Sequence, residues 1–175
     1  DLAGEFVFES FENRKHIRYI PNCHYNVREF ITFFNSEVLK FSSRFLNDKV
    51  YFWDSDFHSR VGRDAEETPP HQDSFLKCLE NGHEYMLTCY IALTDIPVSS
   101  NAMKVIKGSH KQDTLHHKRS LKLGFSSVIE EDADSLPNGL LRNEVDVPLK
   151  AGDALFFHSK LIHYTKRRIN ISDIK

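Results

Sequence analysis

Apolar residues recur at helical spacing between residues 26 and 46, where Val27, Phe30, Phe34, Val38, Phe41 and Phe45 share one face. Asn26 followed by Glu29 resembles a capping box at the start of this predicted helix. From Lys49 the period falls to two. Tyr51, Trp53, Ser55 and Phe57 lie on one side of a predicted strand, and Phe52, Asp54, Asp56 and His58 on the other. Residues 62–70 read as a polar loop and 71–75 as a short strand or strand end. After the Asn81-Gly82 turn signal, 85–94 is a candidate buried strand. Strands are also predicted at 103–106, 144–149 and 154–158, with a last strand or turn from Leu161 toward Tyr164. Residues 113–142 look irregular, with a basic half and an acidic half. One helical segment followed by many short, turn-punctuated strands predicts an all-β barrel or sandwich with a helix packed outside. No internal repeat or linker divides the chain, which reads as a single domain, 1–175, with a helical part at 1–48 and a β core at 49–175.

Composition narrows the function classes. A chain of 175 residues, 40% apolar and 27% charged, is long enough to bury a core without disulfides. A net charge of −2 supplies no general basic field for nucleic acid or acidic lipid, and no apolar run approaches the length of a membrane span. Cys23, Cys78 and Cys89 cannot all pair and show no CxxC spacing, which points to a reducing, cytoplasmic setting. The chain opens on Asp1 with no leader pattern and reads as a fragment or trimmed form. Fourteen Phe suggest a large aromatic core, and ten His raise the question of a metal.

The sharpest local feature is Pro69-Pro70-His71-Gln72-Asp73. Residues two apart on a strand point the same way, so His71 and Asp73 aim an imidazole and a carboxylate at one spot. That is two-thirds of a facial 2-His-1-carboxylate set, which binds Fe(II) and leaves coordination positions open. The third ligand has two candidates, His158 and His163. Being five apart, they would face opposite ways on a continuous strand, so only one should reach the metal. There is no P-loop, GxGxxG or GxSxG pattern, and neither Cys78 nor Cys89 has an adjacent histidine to make a nucleophile.

His71-Gln72-Asp73-Ser74-Phe75 and the strand ending Leu93-Thr94-Asp95-Ile96 resemble the phytanoyl-CoA dioxygenase family of Fe(II)/2-oxoglutarate oxygenases. The resemblance continues through residues 101–111, which include Gly108-Ser109-His110, and through 147–158, which include Gly152-Asp153. It closes with Leu161-Ile162-His163 and Asn170-Ile171-Ser172. It implies a double-stranded β-helix (a jelly roll of the cupin kind), with His71, Asp73 and His163 as metal ligands and His158 as a satisfied, partly buried histidine. It also implies 2-oxoglutarate and O₂ as co-substrates, a small organic substrate that is hydroxylated or otherwise oxidised, and release of succinate and CO₂. Thr165 matches the family's Ser/Thr contact to the distal carboxylate of 2-oxoglutarate. Tyr90 matches an aromatic lining that pocket, and His58 lies near a polar contact of relatives. The family's carboxylate-binding arginine follows the N-x-S block and would fall just past Lys175; Arg167 and Arg168 precede that block and do not match it. An intact Asp73 argues for hydroxylation or a related oxidation over halogenation, since related halogenases replace that carboxylate. The alternatives are a cupin-type metal enzyme that does not use 2-oxoglutarate, or a non-catalytic jelly-roll binding domain. The basic stretch His116–Arg119 could steer an anionic substrate or simply be solvated. Substrate identity and oligomeric state are not legible.

Overall fold

The computed structural model describes residues 7–11, 14–60, 67–73, 86–119, 127–130 and 142–166. The chain divides into two compact units, residues 1–62 and 63–175. The Asn81-Gly82 turn, Cys78, Arg167, Arg168 and the Asn170-Ile171-Ser172 block lie outside the described residues.

In the first unit, strands β1 (Val7–Phe11), β2 (Arg14–Ile20) and β3 (Phe57–His58) form an antiparallel sheet in that order. Helical turns fill the span between β2 and β3: α1 (Cys23–Asn26), α2 (Arg28–Phe33), a π-helical turn (Phe34–Val38) and α3 (Leu39–Leu46). The predicted helix is therefore present but differs in two ways. Asn26 closes α1, and the cap of α2 is Val27, extended at φ −131° and without a side-chain cap bond, so the capping box does not form. The wider π turn also shifts the apolar stripe by one residue. In α3 the sheltered positions are Leu39, Ser42, Ser43 and Leu46, whereas Phe41 is 46% exposed and Phe45 67% exposed. The helix ends on Asn47, which adopts the left-handed conformation (φ 51°) that Asn tolerates.

The strand predicted from Lys49 shrinks to the two residues of β3, and 51–56 run irregularly. Local bonds hold this segment instead. Phe52 stacks on Phe34 with ring centroids 4.9 Å apart and meets the His24 ring edge-on. Asp56 accepts hydrogen bonds from the Tyr19 hydroxyl at 2.9 Å and the Asn22 N–H at 3.1 Å. Asp54 accepts one from the Ser55 N–H at 2.6 Å. The predicted polar face is thus not a continuous strand surface.

In the second unit the chain runs out through β4 (Thr68–His71), β5 (Leu87–Ile91), β6 (Met103–Ile106) and β7 (His117–Arg119). It returns through β8 (Ser127–Ile129), β9 (Glu144–Val147), β10 (Ala154–His158) and β11 (His163–Thr165). Every outgoing strand pairs antiparallel with its return counterpart: β7 with β8, β6 with β9, β5 with β10 and β4 with β11. An extra pairing of β11 with β6 joins successive turns, giving a sheet in the order β4-β11-β6-β9 opposite the pair β10-β5. This nested doubling back is the double-stranded β-helix.

Three sequence expectations need adjustment here. Residues 68–70 belong to a strand, not a loop; the strand ends at His71, and Asp73 lies in the turn beyond it. The β4–β11 register slips between the His163–His71 and Thr165–Thr68 rungs, so β4 carries one extra residue at its Pro-Pro step. Proline has no N–H to offer a ladder, so an edge strand with a bulge is where it fits. The stretch predicted as irregular contains the β7–β8 ribbon, where His116 pairs with Glu130 at 2.6 Å and Lys118 donates to the Glu130 carbonyl at 3.1 Å.

Two apolar clusters form on the sides of the larger sheet. Met103, Val105, Phe157 and Leu161, joined by Tyr90, Val147 and Leu155, fill the space between the facing sheets. Ile106, Ile129, Ile162 and Tyr164, joined by Leu115, pack on the other side. Strand alternation explains the division: Val105 and Ile106 point opposite ways, as do His163 and Tyr164.

Candidate metal centre

His163 on β11 lies directly across the ladder from His71, the last residue of β4. The sheet therefore brings the two imidazoles together, with ring centroids 4.1 Å apart. Asp73, just past the strand, turns its carboxylate back between them. Its Oδ1 is 3.8 Å from His71 Nε2 and 3.7 Å from His163 Nε2. Both histidines are buried, and one ligand atom from each of the three residues lies within 4.8 Å of the others.

Neighbouring groups set the state of each side chain. His71 Nδ1–H donates to the Pro69 carbonyl at 2.9 Å, and His163 Nδ1–H to the Leu161 carbonyl at 3.0 Å. Each acceptor lies two residues before its histidine. With Nδ1 so engaged, each Nε2 is the ring nitrogen that faces the carboxylate. Burial, with a smaller contribution from the nearby His163, holds the His71 imidazole well below the usual histidine range. The ring is therefore neutral at pH 7, the form that ligates metals. Phe157 packs against the His163 ring at 4.7 Å, and the Thr88 hydroxyl donates to Asp73 Oδ2 at 2.6 Å. Two imidazole nitrogens and one carboxylate oxygen form a donor set suited to a divalent first-row ion, Fe(II) in particular.

The other residues singled out in the sequence fall in different places. Thr165 is buried on the same side of β11 as His163, and its Oγ1 accepts the Thr68 N–H at 2.9 Å. Tyr90, half-buried on β5, packs against the cluster between the sheets. His158 lies on β10, where its Nδ1 accepts the Lys160 N–H at 3.0 Å, and it is not among the three grouped ligands. His58 belongs to the first unit, beside the Tyr19 ring at 4.9 Å.

Sequence reasoning passed over two contacts. Thr88 is one; its signal was strand alternation, which puts it on the same face as Tyr90. Gln72 is the other. Fully buried, it donates from Nε2 to the Lys160 carbonyl at 2.7 Å and accepts the Leu115 N–H at 2.8 Å. Its own N–H donates to His117 Nε2 at 3.2 Å, while His117 Nδ1–H donates to the Leu115 carbonyl at 2.8 Å. An uncharged amide between two ligands ties their segment to the approach to β11 and to the start of β7.

The sequence profile described as Phytanoyl-CoA dioxygenase matches residues 8–172. The chain belongs to the phytanoyl-CoA dioxygenase family. Solved structures resemble it in fold. EctD from S. alaskensis with bound Fe aligns at a TM-score of 0.73 and 20% identity, covering 94% of this chain and 56% of that one. The epimerase SnoN, in complex with Fe³⁺, alpha ketoglutarate and nogalamycin RO, aligns at 0.70 and 19% identity, covering 95% and 63%. The carbocyclase SnoK from nogalamycin biosynthesis aligns at 0.71 and 22% identity, covering 94% and 62%. The chain thus spans little more than half the length of EctD. No curated protein sequence matches it. Among the described residues of this family member, no helix is long and apolar enough to cross a membrane.

Proposed function

We propose that the protein is an Fe(II)- and 2-oxoglutarate-dependent dioxygenase that oxidises a small organic substrate, releasing succinate and CO₂. The observation that carries this reading is the cluster of His71, Asp73 and His163, with both imidazoles buried and both Nε2 atoms within 3.8 Å of one carboxylate oxygen. In this reading those three residues hold the ion. When bound, Fe(II) supplies the redox chemistry that couples oxidative decarboxylation of 2-oxoglutarate by O₂ to a two-electron oxidation of the substrate.

The protein's own groups do the rest. Carbonyls of Pro69 and Leu161 hold the imidazole tautomers, and the cluster of Met103, Val105, Phe157 and Leu161 keeps that side apolar. Thr165, buried on the same side of β11 as His163, is read as a contact to the distal carboxylate of 2-oxoglutarate, and Tyr90 as an aromatic wall of that pocket. The role of His58 as a further polar contact rests on the family resemblance alone. Retention of Asp73, where related halogenases have a small residue, favours hydroxylation or a related oxidation. The family match through both units supports reading the chain as one oxygenase domain. The unpaired thiols of Cys23 and Cys89 support a reducing, intracellular setting.

The test is succinate formation from 2-oxoglutarate by the purified chain with Fe(II) and O₂. Turnover is expected even without the natural substrate, at a low rate. The double variant His71→Ala/Asp73→Ala should lose turnover and Mn(II) binding while keeping the far-UV circular dichroism of the parent. Turnover retained by the double variant would show that the ligands are misassigned.

A further inference from the structure

We infer that Thr88 is a positioning residue that presents Asp73 to the ion through a single oxygen; this rests on the ligand set proposed above. The two carboxylate oxygens of Asp73 are engaged differently. Oδ1 lies between the imidazoles, 3.8 and 3.7 Å from their Nε2 atoms. Oδ2 accepts the Thr88 hydroxyl at 2.6 Å, the length of a charge-assisted O–H···O⁻ bond. That bond fixes the rotation of the carboxylate and occupies the oxygen that would otherwise turn toward the ion as a second ligand. Thr88 is well suited to the task, because its branched side chain on a strand has few rotamers to lose.

The strand register gives this contact a structural basis. Thr88 on β5 is paired with Phe157 on β10, and Phe157 packs against the His163 ring. One rung of the smaller sheet therefore touches two of the three proposed ligands: a hydroxyl on the Asp73 carboxylate and a ring on the His163 imidazole. The consequence lies in coordination number. A carboxylate bound through one oxygen leaves three of six octahedral positions open, enough for a bidentate 2-oxo acid and O₂. Bound through both oxygens it would leave two, and O₂ and the 2-oxo acid would compete.

The experiment compares the parent chain with Thr88→Val, which keeps the shape and removes the hydroxyl, and Thr88→Ser, which restores the hydroxyl. Thr88→Ala serves in place of the valine variant if near-UV circular dichroism shows that valine disturbs the fold. Mn(II) affinity is read by titration and coordination by the visible absorption of the Co(II)-substituted protein. Loss of the hydroxyl is expected to weaken Mn(II) binding by about 10–100-fold, the usual effect of removing an outer partner of a metal ligand. It should also change the Co(II) band pattern, and serine should return both toward the parent. Parent-like affinity and spectrum without the hydroxyl would overturn the inference while leaving the ligand set standing. A parent chain that binds neither metal would overturn the ligand set, and the inference with it.

Discussion

Each histidine at the metal centre is held by a carbonyl two residues upstream, and the carboxylate by a hydroxyl from the facing sheet. The grouping of His71, Asp73 and His163 was legible in the sequence. His71 and Asp73 carry a recognisable spacing, and His163 falls in a recognisable block. Their partners were not, because a hydrogen bond between Thr88 and Asp73, or between Gln72 and Leu115, exists only once distant strands pair. Burial leaves another signature at this scale. Cys89, on the opposite face of β5 from Thr88, has its thiol pushed up from an ordinary 9.0 to about 11 by desolvation. The folded state thus favours the neutral thiol. This group contributes its full stability below pH 9, and the contribution is lost as pH rises through 11. At pH 8 the thiolate population, and with it the rate of iodoacetamide labelling at Cys89, should be about 100-fold lower than for a free thiol. Labelling of Cys89 in the native protein, followed by peptide mass spectrometry across pH 7 to 11, checks this.

Among the elements, the helical span illustrates how one inserted residue escapes a periodicity argument. An apolar pattern reveals that a helix exists, yet a π turn widens the ring by one residue, and every position after it rotates away from the predicted face. Phe41 and Phe45 consequently stack on each other in solvent, 6.0 Å apart, and Leu39 and Leu46 take the sheltered side. The two registers make opposite predictions. Phe45→Ser should change unfolding free energy by less than about 0.5 kcal/mol, as surface substitutions do. Leu46→Ala, at a half-buried position, should cost about 1–2 kcal/mol, below the range for a fully buried leucine. Urea melts of the two variants decide between them; the reverse order would restore the uninterrupted helix. The strand predicted at 51–58 failed for a related reason. Alternation of aromatic and acidic residues is a strand signal only if a neighbouring strand accepts the ladder, and β2 pairs with only two of those residues.

For the whole molecule, a β barrel or sandwich was visible as a succession of short strands separated by turns and the family resemblance narrowed it to a jelly roll, whereas the order of pairing was not legible. Period-two patterns specify which face of a strand is apolar and carry no information about its partner. The nested pairing also makes metal binding a measure of the intact second unit. A ligand that binds only the native state stabilises it by about 2.7 kcal/mol at a hundred times its dissociation constant. For a chain of this size that corresponds to a rise of roughly 5–10 °C in the melting temperature. Mn(II) should produce such a rise in the parent and none in His71→Ala/Asp73→Ala, by differential scanning calorimetry. Equal shifts in both would place the ion elsewhere.

The outermost pair of the nest also carries His71 and His163 of the candidate metal centre. β7 and β8 meet across a short connection, whereas β4 and β11 close a loop of roughly ninety residues, so loop-closure entropy makes their pairing the most expensive in the unit. An ion held by His71, Asp73 and His163 would act as a clasp across the first and last strands of the nest. Its effect should then be felt less in how quickly the chain folds than in how slowly the fold is lost, as resistance to proteolysis.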